Sequence, residues 1–90
     1  MTTKAQNMRS NKGNFVPNQF LIYTNKGVYF QSYNSIIALR DNSNNVFLDS
    51  YYWNYSRTTG KYRNIFLDEY TPETKAKIKS GIYKLKNLNR

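Results

Sequence analysis

The sequence contains no cysteine and no histidine. Disulfides are therefore excluded, as are zinc centres built on thiolate or imidazole, thiol nucleophiles and imidazole acid–base catalysis. Acids are scarce: five Asp and Glu stand against 14 Lys and Arg, a net charge of +9. Asp41, Asp49, Asp68, Glu69 and Glu73 show no metal-ligand spacing, and no Gly-rich phosphate motif is present. Local duties suffice for three of them. Asp41 falls in a turn, Asp49 ends a strand, and Glu73 sits in a first helical turn where the helix dipole favours it. The residues argue against an enzyme, and no cofactor is expected. No apolar run approaches the roughly 18 residues of a membrane-spanning helix. No apolar leader opens the chain, and without cysteines the cytoplasm is the expected location.

What remains is a 90-residue chain, enough for one small domain. Aromatics make up 17%, nine of them Tyr. Residues 1–14 are polar, carry Lys4, Arg9 and Lys12, and contain no acid. They read as a flexible basic arm, dispensable for folding, because they bury too little apolar area to offset ordering entropy. Residues 15–90 read as the folded domain. Phe20–Thr24, Val28–Tyr33, Ser35–Arg40 and Val46–Asp49 are short apolar runs separated by turn residues, which predicts four antiparallel strands in series. Ser56 caps a helix over Arg57–Asp68. Thr71-Pro72 starts a second helix, with Thr71 as N-cap and Pro72 at the first helical position, and Ser80-Gly81 stops it. Ile82–Leu85 is a last strand or a docked tail. The fold class is α+β, a small antiparallel sheet of about four strands with two helices on one face. The expected core is Phe20, Ile22, Val28, Phe30, Ile36, Ala38, Phe47, Trp53, Tyr62, Ile65, Phe66 and Ile78.

Charge is concentrated late in the chain. From Arg57 onwards nine basic residues face three acids. Arg57 and Lys61 share a helix face, with Arg63 at its border. Lys75 and Lys79 are one turn apart on the second helix, and Lys84 and Lys86 alternate onto one side of an extended segment. Together these seven are the candidate phosphate contacts, since Lys and Arg gain affinity for nucleic acid by releasing condensed counterions. The competing reading of each is a solvated face. Tyr29, Gln31 and Tyr33 alternate away from Val28, Phe30 and Ser32, as either a stacking platform or ordinary sheet packing. Tyr51, Tyr52, Trp53 and Tyr55 form the densest aromatic cluster. It staples the sheet to the first helix or anchors a protein partner.

Three segments resemble a family of small tailed-phage proteins of unknown function: Phe30–Ala38, Trp53–Leu67 and Thr74–Leu85. The likeness spans about Val28 to Leu88. It implies a protein made inside an infected bacterium, and no mechanism. Related sequences often carry Asp where Asn54 stands, so any role for that acid does not carry over. The leading expectation is a nucleic-acid-binding accessory protein without base-specific readout, contacting DNA or RNA. The rival is a protein-binding module that inhibits or redirects a host factor through the Tyr51–Tyr55 cluster. Basic residues on one continuous face favour the first, and dispersed charge around an exposed apolar patch favours the second.

Overall fold

A computed structural model describes residues 3–10 and 12–89. Five strands run as an antiparallel meander: β1 (Lys4–Arg9), β2 (Phe15–Thr24), β3 (Gly27–Ser32), β4 (Ser35–Asp41) and β5 (Val46–Asp49). Two helices follow, α1 (Arg57–Leu67) and α2 (Thr71–Ser80), and then β6 (Tyr83–Lys86). The sheet order is β1-β2-β3-β4-β5-β6, with β6 parallel to β5. The fold is α+β as expected, with six strands in a mixed sheet rather than about four antiparallel ones. Parallel pairing needs a crossover of a dozen or more residues, and the helix pair supplies it.

The segment expected to be a flexible arm instead supplies β1. Met8 is buried, Asn7 donates its side-chain amide to the Val16 carbonyl at 2.9 Å, and Arg9 lies 4.2 Å over the Phe15 ring. Residues 1, 2 and 11 of that segment lie outside the described residues. Backbone pairing along an edge needs no apolar sequence, so the polar composition hid the strand. At the β2–β3 turn Gly27 has φ 142°, and a Cβ there would collide with the Arg40 carbonyl. Close backbone approach as well as φ therefore requires glycine here.

Register and alternation sort the side chains onto two faces. Phe30, Ala38 and Leu48 are cross-strand partners on the helix-covered face. A register shift after Phe30 lets neighbouring Ile37 be buried as well. Phe66 stacks on Phe30 with centroids 5.8 Å apart. Met8, Val46, Leu67 and Tyr83 complete this core, with Val28, Trp53, Tyr62 and Ile78 packed against it. Phe20, Ile22, Ile36 and Phe47, expected in the core, are only partly buried. All four lie on the opposite face.

Ser56 caps α1 as expected, accepting the Thr59 N–H at 3.1 Å. The buried stripe is Thr59, Gly60, Arg63, Phe66 and Leu67. The helix is therefore rotated relative to the expected Tyr62, Ile65, Phe66 phase, and Ile65 is 40% exposed. Tyr70, not Thr71, is the N-cap of α2, and Glu73 accepts its backbone N–H at 3.0 Å. Gly81 ends α2 with φ 84°. Among the described residues no helix is long and apolar enough to cross a membrane.

Candidate nucleic-acid interface

The seven basic candidates do not form one surface. Arg57 and Lys61 are exposed on the outer side of α1, where they line a groove of about 1020 Å³. Asp68 and Glu73 line the same groove and oppose an anionic ligand. Lys75 and Lys79 are exposed on α2. Lys84 and Lys86 belong to β6 and lie on the far face of the sheet.

Arg63 is withdrawn from the set of phosphate contacts, because it is 0% exposed. Its Nη1 donates to the Trp53 carbonyl at 2.8 Å and to Asn54 Oδ1 at 3.0 Å. Nη2 donates to Asn64 Oδ1 at 3.0 Å and to Thr71 Oγ1 at 2.7 Å. The guanidinium also lies 5.1 Å over the Trp53 ring. All four acceptors are neutral. Burial pulls the guanidinium below its ordinary pKa, and the charge of Glu69 offsets part of that. Arg63 thus ties the 53–54 loop, α1 and the start of α2 into one unit.

The face of the sheet without helices holds a different arrangement. Ala5, Ile22, Tyr29, Leu39, Phe47 and Lys84 are successive cross-strand partners, one from each strand. Five strand spacings of about 4.8 Å make this row roughly 24 Å long. Phe20, Gln31 and Ile36 form a second, shorter row beside it. Lys86 sits with its Nζ 4.9 Å from the Phe47 ring centroid. Tyr29 and Gln31 thus share the uncovered face as the alternation predicts, both half-buried, while Tyr33 stands 50% exposed in the turn beyond. The sequence signal for this platform was the period of two in β3. Phe47 was assigned to the core because a lone strand does not reveal which face its sheet leaves open.

Two acids border the platform, and both are occupied. Asp49 is 2% exposed and accepts N–H groups from Tyr51, Tyr52 and Leu88 and the Asn89 side-chain amide, at 2.8–3.1 Å. Burial opposes its charge, but these donors outweigh burial and hold the carboxyl below its usual range. Asp41 accepts the N–H groups of Ser43 and Asn45 at its turn. On the helix side, Glu69 accepts from Lys77 Nζ at 2.7 Å and from the Tyr83 hydroxyl at 2.8 Å. Burial opposes its charge too, and these donors again win, lowering its pKa.

The aromatic cluster divides. Tyr52 and Trp53 pack against the core, as a staple would. Tyr51 and Tyr55 are 74% and 65% exposed, in edge contact with Tyr52 at 4.7 and 5.3 Å. Among the described residues no three Asp or Glu side chains gather as a metal site.

The architecture is that of a small α+β domain with one bare sheet face. The chain belongs to a family of unknown function (DUF8033), which matches it over residues 3–83. No curated protein and no solved structure matches it.

Proposed function

We propose that the protein binds single-stranded nucleic acid, without base-specific readout, across the uncovered face of its sheet. The observation that supports this is a cross-strand row running from Tyr29 through Leu39 and Phe47 to Lys84, with Lys86 against the Phe47 ring. Bases stack on aromatic faces whatever their identity, and lysines beside them neutralise phosphates. A net charge of +9 adds long-range attraction. Arg57, Lys61, Lys75 and Lys79 lie on the helix side and contribute to this field without touching the strand. With the resemblance to tailed-phage proteins, the setting we propose is the cytoplasm of an infected bacterium.

Fluorescence anisotropy on labelled 12-mers tests it, read between about 50 and 200 mM salt. Single strands should bind better than duplex. Lys84→Ala and Lys86→Ala should each flatten the log–log salt slope by about 0.7, the single-strand value per phosphate. Tyr29→Ala should weaken binding by about 1–3 kcal/mol and leave the slope unchanged. No binding by the folded protein at the lowest salt refutes the proposal. Equal binding of duplex, insensitive to Tyr29→Ala, moves the contact to the helices.

One observation favours a second reading. Charge is dispersed over three regions, and Tyr51 and Tyr55 stand exposed beside the sheet end. That pattern suits a host protein gripped by the Tyr51–Tyr55 loop.

A further inference from the structure

The helical layer is incomplete. α1 packs over β3 and β4, and α2 packs against β6. Beside α1, over β1 and β2, the sheet carries a groove of about 360 Å³ instead of a helix. Met8, Leu21, Val28 and Phe66 form its apolar floor, and Tyr23 and Ile65 stand at its sides, 37% and 40% exposed. Arg9 and Arg40 line its rim, and Lys4 stands opposite Tyr23 in register. No acid lines it. Two strand spacings measure about 10 Å. A helix with its side chains measures about 10–12 Å across.

We propose that this slot receives an acidic amphipathic helix of a partner protein. Such a helix would lay leucine-like side chains on the floor and present carboxylates to Lys4, Arg9 and Arg40. Arg40 is already ordered for this, donating Nη2 to the Phe66 carbonyl at 2.8 Å and lying 4.9 Å over the Phe66 ring. Little side-chain freedom is then left for it to lose on binding. Charge argues against a second copy as the occupant. Among its own helices, α1 carries Arg57, Lys61 and Arg63 with no acid, and α2 carries three lysines with one glutamate. Seating either beside three cations opposes like charges. The slot lies on the opposite side of the sheet from the proposed nucleic-acid platform, so each can hold or fail without the other.

The probe is a 14-residue peptide with Leu at helical i, i+3, i+4, i+7 spacing and Glu elsewhere, and its control replaces every Glu by Lys. Amide shifts are recorded by NMR on the full labelled chain. The acidic peptide should shift Leu21, Tyr23, Val28 and Ile65 saturably and gain helicity, while the Lys peptide should do neither. Ile65→Glu should weaken binding by about tenfold, through lost apolar contact and like-charge repulsion. Tyr23→Glu stands in should that variant unfold. Lys84→Ala should leave peptide binding unchanged. Absence of binding, equal response to the Lys peptide, or shifts confined to the other face would overturn the proposal. Self-association abolished by Ile65→Glu would also overturn it, by assigning the slot to a second copy.

Discussion

Replacing Arg63 by Ala should bring the domain close to unfolding. Its guanidinium donates four hydrogen bonds to neutral oxygens from three parts of the chain and is fully buried. Bonds to a charged group contribute roughly 1.5–3 kcal/mol each. Burying the cation takes back several kcal/mol. The remainder, about 3–5 kcal/mol, is set against a total stability of roughly 5–15 kcal/mol for a small domain. In thermal unfolding the variant should melt at least about 12 °C lower. Arg63→Lys should recover little, since one ammonium cannot reach acceptors spread around a planar fork. Asn54→Asp tests the same logic in reverse. It gives the cation a carboxylate at 3.0 Å and should stabilise by about 1 kcal/mol. A melting temperature for Arg63→Ala within about 4 °C of the parent would refute the buried network. Normal stability with lost nucleic-acid binding would return Arg63 to the interface.

Two further outcomes follow from the fold. Deleting residues 1–9 should lower the melting temperature by more than about 4 °C, because Met8 leaves the core and β2 becomes an edge. An unchanged value would mean that β1 is not held. Stability should also depend on pH at both extremes. Asp49 and Glu69 have lowered pKa values in the folded state, so their contribution is present above the ordinary carboxylate range and fades as pH falls below about 4. Lys77, hydrogen-bonded to Glu69, and Tyr83, buried beside it, have raised values, so theirs fades as pH rises beyond about 10. Melting scans should show a plateau between these limits, and Asp49→Asn should flatten the acid limb. An acid limb identical in parent and variant would sink the assignment to Asp49.

Much of the element order was legible because its signals are local. Apolar runs between Asn-, Gly- and Asp-rich turns marked β2 to β5, and Ser56, Pro72 and Gly81 bracketed the helices. What escaped depends on partners far away in sequence. β1 has one buried residue, Met8, and is held by pairing with β2. Arg63 looked like a surface cation because arginine usually is one, and the oxygens of Trp53, Asn54, Asn64 and Thr71 make its burial tolerable. The rotation of α1 follows from that, since placing Arg63 inward turns Ile65 out. Lys84 and Lys86 share one side as the alternation predicts, but nothing local put Phe47 beside them or Tyr29 in the same row.

The parallel closure by β6 predicts an order of folding. The meander from β1 to β5 joins neighbours in sequence, and such local pairings form early. The β6 strand is expected to follow, because Val46 pairs with Tyr83 across the whole length of both helices. Asn89 reaches further still, donating to the Ile36 carbonyl at 3.0 Å and accepting its N–H at 2.7 Å. Until that closure, β5 is a bare edge carrying Val46 and Leu48, an invitation to strand addition by another chain. A chain cut short before Tyr83 would keep that edge for life. Its characteristic failure is therefore expected to be aggregation through β5 rather than simple loss of a C-terminal strand.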